Sequence, residues 1–183
     1  TSSPFTEAAT AAQPVSVYGA SKRADELLLY TYYALHGIEA TCFRFFTVYG
    51  PWSRPDMAML KFALAIQAGK AIDVYNHGDL RRDFTHVDDI VAGFVRGVET
   101  PLGYEIINLG RGESTELIQF IELIEAGLGT TADKRLLPMQ PGDVYETFAD
   151  TTKAKELLHF SAQVPIADGV PTFVDWFQDY YQR

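Results

Sequence analysis

Tyr18-Gly19-Ala20-Ser21-Lys22 sets a phenol and an ammonium four residues apart. On a helix that spacing stacks both side chains on one face. The nearby positive charge favours the phenolate and lowers the tyrosine pKa. A tyrosine tuned this way serves as a general acid or base near neutral pH. The same spacing also arises in amphipathic helices with no chemistry attached, so the elements around the pair decide its meaning.

Those elements alternate between helix and strand. A helix over 21–36 is predicted from an apolar stripe of Ala24, Leu27, Leu28, Tyr32 and Leu35, closed by Gly37. The run 41–47, apolar and too short for a helix, reads as a buried strand of a parallel sheet that ends in a loop at Gly50-Pro51. Ligands in open α/β sheets sit beyond the carboxyl ends of strands, which places Thr47 to Arg54 where a substrate would lie. Further expectations are a helix from Met57 to Gly69, a strand at 71–75 and a turn at 76–79. A helix capped by Asp88 or Asp89 follows, then a strand at 104–109 and a helix at 114–126. Short extended segments at 136–139 and 148–150 precede a helix at 152–158 capped by Thr151 or Thr152. A last helix at 166–181 carries Phe173, Trp176, Phe177, Tyr180 and Tyr181, read as core packing, and residues 1–15 read as loop.

The 183 residues, 47% hydrophobic and 21% charged, suit one globular domain. A net charge of −9 without a basic stripe argues against nucleic-acid binding. No signal peptide or membrane-spanning run is seen, and a cytoplasmic protein is the expectation. Cys42 is expected to be an inert core thiol. His86 and Asp88 lack a third metal ligand, and no Gly-x-Ser-x-Gly elbow, Cys/His metal spacing or Walker loop is present, so no metal site is expected.

Five segments in order resemble the extended short-chain dehydrogenase/reductase family, which includes the NAD-dependent nucleotide-sugar epimerases and dehydratases. They are Tyr18-x-x-x-Lys22, Arg44 to Pro51, Arg82-Asp83-Phe84-Thr85-His86-Val87-Asp88-Asp89, Asn108-Leu109-Gly110 and Pro141-Gly142-Asp143. The resemblance implies an α/β fold: the C-terminal part of a Rossmann-like architecture without its N-terminal dinucleotide-binding strands, plus a small α/β substrate-binding lobe. Residues 1–56 would be the remnant of the NAD-binding domain, and residues 57–183 mainly the substrate lobe with some returning Rossmann elements. Tyr18 and Lys22 would be the catalytic pair, with Lys22 also holding the cofactor ribose. Arg82 would contact a diphosphate, Asp143 the nucleotide ribose, and Val74 and Tyr75 the uracil. The positions of His86 and Asp88 tie the two lobes together in such enzymes.

The segment from Phe46 to Pro51-Trp52, followed by Arg54-Pro55-Asp56-Met57-Ala58, looks like the UDP-glucuronate 4-epimerase branch of that family. A hydroxyl at Thr47 and a guanidinium at Arg54 suit a sugar carboxylate. The implied reaction is NAD-dependent epimerisation of UDP-glucuronate to UDP-galacturonate through a 4-keto sugar. Another epimerase, dehydratase or decarboxylase of the family, or a UDP-sugar-binding module without catalysis, stays open.

The family's glycine-rich pyrophosphate turn is not in this sequence, and Gly110-Arg111-Gly112 lacks the third glycine. The family's catalytic Ser or Thr is expected to lie outside the sequence as well. Thr1-Ser2-Ser3 matches that triplet in letters but runs straight into Pro4-Phe5-Thr6-Glu7. The chain alone is therefore expected to bind NAD weakly and to be inactive. Apolar surface left bare on the helix and the sheet is expected to drive dimerisation or higher association.

Overall fold

Ser16 caps the first helix, α1 (Val17–His36), by accepting a hydrogen bond from the Gly19 amide on its Oγ at 3.0 Å. That cap satisfies an orphan donor of the first turn and starts the helix at Val17 rather than Ser21. Gly37 closes it at φ 66°. After α1 come β1 (Ala40–Phe45), β2 (Thr47–Tyr49), α2 (Ala58–Gln67), β3 (Ile72–Val74), a 3₁₀ turn (Tyr75–Gly78), β4 (Arg81–Arg82), β5 (Phe84–His86) and α3 (Val87–Glu99). Then follow β6 (Tyr104–Leu109), β7 (Thr115–Glu116), α4 (Leu117–Leu128), β8 (Lys134–Leu136), β9 (Glu146–Thr147), α5 (Thr152–Leu158) and α6 (Ile166–Tyr181). The computed structural model describes residues 3–8, 14, 16–140 and 142–181. Thr1 and Pro141 lie outside the described residues.

The run predicted as one strand is two. β1 pairs in parallel with β6, from Ala40↔Tyr104 to Phe45↔Leu109. At Phe46 the chain changes partner. The Phe46 amide donates to the Leu109 carbonyl at 3.2 Å, whereas the next amide, Thr47, donates to the Asp83 carbonyl at 3.0 Å. β2 then pairs in parallel with β5, Thr47 opposite Phe84. Thr47 thus sits at a handover between two small sheets. β3 and β8 pair in parallel, and β4 lies between antiparallel β7 and parallel β9. Phe5, inside a segment read as loop, forms a parallel bridge to Ala149.

Two cores result. The larger gathers Leu60, Ile66, Val74, Phe84, Phe120, Ile124, Phe173 and Phe177, with the Phe84 and Phe120 rings stacked at 4.0 Å. The smaller joins Ile90, Ile107, Leu109, Ala154, Leu158 and Phe160. Phe173 and Phe177 of α6 are fully buried, each contributing about 1.5–3 kcal/mol, while Tyr180 and Tyr181 are exposed, so the packing reading holds for part of that helix.

Helix α1 departs most from expectation. Its apolar stripe is open to solvent: Leu27, Leu28, Tyr32 and Leu35 are exposed, and its one buried residue is Glu26. The helix is tied to the sheet by polar and aromatic contacts. The Tyr104 hydroxyl donates to the Glu26 carbonyl at 2.9 Å, and the Tyr30 and Tyr33 rings stand 5.2 and 6.3 Å from Tyr104.

Local capping differs from expectation at three helices. α3 is capped by His86, whose Nδ1 accepts from the Asp88 amide at 3.3 Å; Asp89 instead accepts from the amides of Gln163 and Val164. Thr151 occupies the cap position of α5 without a side-chain bond, and the Asp150 carboxylate accepts from the Thr152 amide at 2.9 Å. The Thr152 hydrogen bonds hold the Asp150 carboxyl below its ordinary range. Thr115 and Glu116 join a strand, which delays α4 to Leu117. Cys42 is half-buried rather than core, and burial pushes its thiol pKa up, in keeping with an unreactive thiol.

Candidate active site

Tyr18 and Lys22 occupy the first and second turns of α1 on one side of the helix, with Lys22 Nζ 5.9 Å from the centre of the Tyr18 ring. The tyrosine is 74% exposed. The lysine is shared: its Nζ donates to Asp25 Oδ2 at 2.9 Å, and that carboxylate raises the Lys22 pKa. Asp25 therefore competes with the Tyr18 phenol for the ammonium.

Lys22 lines a cleft of about 520 Å³ between α1 and the β1–β6 pair, together with Gly19, Glu26, Arg44, Thr47 and Asn108. Its floor is an ion cluster. Arg44 grips Glu26 with both arms, Nε to Oε1 at 2.7 Å and Nη2 to Oε2 at 3.1 Å, and Arg23 adds a third bond at 2.7 Å. Burial works to raise the Glu26 carboxyl, but hydrogen bonds from Arg44 and Arg23 outweigh it and hold the pKa below the ordinary value. The sequence reading passed over this cluster. The available signal was an arginine inside an apolar strand, which demands a buried acid as partner.

A second cleft, of about 540 Å³, opens on the other side of Thr47, which lines both. Here the chain brings distant residues together. Arg82 Nη2 donates to Asp143 Oδ1 at 2.6 Å across 61 positions, while its Nη1 donates to the carbonyls of Arg81 and Tyr145 at 2.8 and 3.1 Å. Asp143 Oδ1 also accepts from the Val144 amide at 2.8 Å. Tyr75, Leu80, Phe84 and Leu117 add apolar and aromatic walls.

Below this cleft Asp83 fixes the geometry. It is fully buried and accepts from Thr85 Oγ1 at 2.7 Å and from the amides of Arg111, Gly112 and Ala149 at 2.8, 3.0 and 3.1 Å. Its own carbonyl receives the Thr47 amide and its amide donates to the Thr147 carbonyl, so Asp83 holds the backbone on which Thr47 enters the cleft.

Of the residues singled out from sequence, Thr47, Tyr75, Arg82 and Asp143 converge on the second cleft, and Lys22 meets Thr47 in the first. Tyr18 flanks Lys22 but lines neither. Val74 is a correction. The strand alternation turns its side chain into the larger core, fully buried, and its carbonyl is taken by the Leu137 amide at 2.9 Å. Arg54 lines neither cleft: exposed on the loop, it pairs at 3.1 Å with Asp56, which lines the second. The Gly50–Asp56 loop is free of the sheet, so strand logic could not set that guanidinium's direction.

His86 joins the start of α3 to α6. Thr172 Oγ1 donates to the Gly169 carbonyl at 2.8 Å and so receives from His86 Nε2 at 3.2 Å, while Nδ1 accepts from Asp88 N. The ring therefore carries its proton on Nε2. Among the described residues no cluster of three or more His, Cys, Asp or Glu is set to hold a metal, and no helix is long and apolar enough to cross a membrane.

Residues 1–110 match the family described as "NAD dependent epimerase/dehydratase family". This chain belongs to that family. Among curated epimerase/dehydratase relatives, the UDP-glucuronate 4-epimerase of Thermodesulfobacterium geofontis is 41% identical over 179 residues, 97% of this chain and 55% of its own. The probable UDP-glucuronate 4-epimerase of Rhizobium meliloti is 40% identical over 199 residues, 98% of this chain and 58% of its own. A crystal structure of UDP-glucuronic acid 4-epimerase from Bacillus cereus, in complex with UDP-glucuronic acid and NAD, superposes with a TM-score of 0.91 at 33% identity. That match covers 99% of this chain and 58% of the other. The chain thus spans a little over half the length of these family members, with the α/β architecture of a Rossmann-like epimerase.

Proposed function

We propose that this chain carries the sugar-nucleotide-handling part of an enzyme that epimerises UDP-glucuronate at C4 to UDP-galacturonate. The observation that best supports this is the position of Thr47, shared by the cleft that holds Lys22 and the cleft that holds Arg82 and Asp143. A nucleotide gripped in the second cleft would extend its sugar past Thr47 toward α1. Relatives named for this activity, at about 40% identity, point the same way.

In this reading the Tyr18 phenol oxygen takes the proton of the sugar 4-hydroxyl and later returns it, while the Lys22 ammonium steadies the phenolate. The Thr47 hydroxyl donates to the sugar carboxylate, and Arg54, released from Asp56, supplies the countercharge. Arg82 meets the diphosphate, Asp143 the ribose and Tyr75 the base. Residues 1–56 belong to the cofactor side and 57–183 mainly to the substrate side.

NAD, when bound, supplies the hydride acceptor and donor. The residues present fit its nicotinamide-ribose end, because Lys22 and Gly19 line the first cleft beside Tyr18. The 183 residues hold no glycine-rich pyrophosphate turn, so the chain by itself binds NAD weakly and turns over no sugar. The exposed apolar face of α1 and the open edge of β1 are covered by a second copy of the chain or by further protein.

A second reading, a UDP-sugar-binding module without catalysis, is favoured by the one fact that the Tyr18 ring lines neither cleft. Thermal-shift titrations with UDP, UDP-glucuronate and NAD test the proposal. Stabilisation by both uridine ligands, stronger for UDP-glucuronate, is expected; no response to either refutes it. Equal stabilisation by UDP and UDP-glucuronate favours the binding module.

A further inference from the structure

Between β2 and α2 the chain crosses the Gly50–Asp56 loop, where one side chain sits in a conformation that its type disfavours. Trp52 has φ 62°, in the left-handed region that a bulky residue avoids, and it is 72% exposed. Neither property is favourable alone. Aromatic contact offsets both: the Trp52 ring lies 5.4 Å from Trp176 at 54° and 5.3 Å from Tyr180 at 71°.

The platform beneath Trp52 is fixed. Trp176 and Tyr180, one turn apart on α6, stack on each other at 5.6 Å, and Trp176 packs on the larger core with its ring 5.8 Å from that of the fully buried Phe173. At the start of the loop Tyr49 is buried in the same core, and at its end the Met57 amide donates to the Arg54 carbonyl at 3.0 Å just before α2. Trp52 pins the span between them. Two residues on, the Arg54 and Asp56 side chains keep 73% and 65% of their surface in water, and an ion pair so exposed is weak. The Arg54 guanidinium can therefore change partners while the backbone it springs from stays tied to α6. Its present partner, Asp56, already lines the second cleft, as does Thr47.

We propose that Trp52 is a positioning residue for Arg54: stacked on Trp176 and Tyr180, it holds the loop backbone where the guanidinium turns from Asp56 to a sugar carboxylate at Thr47. This rests on the reading of Thr47 and Arg54 as the pair that meets the carboxylate. A loop ordered in advance loses less freedom when the ligand binds, so Trp52 acts on selectivity for the carboxylate and not on the grip of the nucleotide. The stacked anchor stays in place on binding, and the arginine side chain is the part that moves.

Calorimetry on the whole 183-residue chain tests this with UDP-glucuronate and UDP-glucose, which differ at the sugar carboxylate. The wild type is expected to prefer UDP-glucuronate about tenfold, and Trp52→Ala to narrow that preference to about twofold with UDP-glucose binding unchanged. Trp52→Phe, which keeps a stacking ring, should restore most of the preference. In an Arg54→Gln background Trp52→Ala should change nothing further, because its effect runs through that guanidinium. Both tryptophans of the chain are in this contact, so their exciton couplet in circular dichroism should be present in the free chain, persist with UDP-glucuronate and vanish in Trp52→Ala. A preference left intact by Trp52→Ala, equal losses for both ligands, a further loss on top of Arg54→Gln, or a couplet that is absent or disappears on binding overturns the role of Trp52 and leaves the proposed function standing. A wild type that binds the two nucleotides equally, or neither, overturns the carboxylate reading and the role of Trp52 with it.

Discussion

Replacing Glu26 by Gln removes one charge from the cluster that seats α1 on the sheet. Glu26 is 8% exposed and holds three guanidinium hydrogen bonds, two from Arg44 and one from Arg23. Breaking a fully buried pair costs about 3–5 kcal/mol, and an exposed pair is worth about 0–1 kcal/mol. The Arg44 and Arg23 side chains keep 26% and 30% of their surface in water, so solvent recovers part of the loss. We expect a destabilisation of about 2–3 kcal/mol, or a drop in Tm of about 4–12 °C for a chain of this size. The pH dependence has a definite sign. The folded pKa of Glu26 lies below its ordinary value of 4.5, so the stabilisation is complete above that pH and fades as pH falls through the folded value. Thermal unfolding followed by circular dichroism should therefore show a wild-type advantage over Glu26→Gln at pH 7 that shrinks below pH of about 4. A Tm change under about 2 °C, or a gap of the same size at both pH values, would refute the reasoning.

Other outcomes follow from the same geometry. Gly169→Ala sets a Cβ 2.3 Å from the buried Tyr49 hydroxyl and should lower stability by about 1–3 kcal/mol in denaturant titration, while Gly129→Ala is strained only by its backbone. Tyr18→Phe should leave Tm within about 1 °C, because the ring is largely exposed, yet abolish turnover once a glycine-rich cofactor half is present to supply NAD. Leu28→Glu with Leu35→Glu, placed on the bare face of α1, should shift light-scattering mass toward the monomer if that face self-associates.

Much of the fold was legible because its signals are local. β6 matched its predicted span because a short alternating run is bracketed by glycines, and α6 because its apolar spacing holds for 16 residues. The strand switch at Phe46–Thr47 was not, since apolar character runs unbroken across it and only the Leu109 and Asp83 carbonyls mark the change of partner. The stripe on α1 was legible as apolar but not as uncovered, because burial depends on what else is packed there. Of the site, Arg82 and Asp143 were named from sequence, but their 2.6 Å contact is set by β4, β9 and the Asp83 hub. Val74 was misplaced because strand alternation sends it inward.

The central claim is that one sugar nucleotide runs from Arg82 and Asp143, past Thr47, to Tyr18 and Lys22. A crystal structure with UDP-glucuronate bound tests it most directly. The account predicts the diphosphate in the second cleft beside Arg82, the sugar carboxylate on the Thr47 hydroxyl, and the 4-hydroxyl turned toward α1. A nucleotide bound elsewhere, or a sugar that points away from Thr47 into solvent, would contradict it.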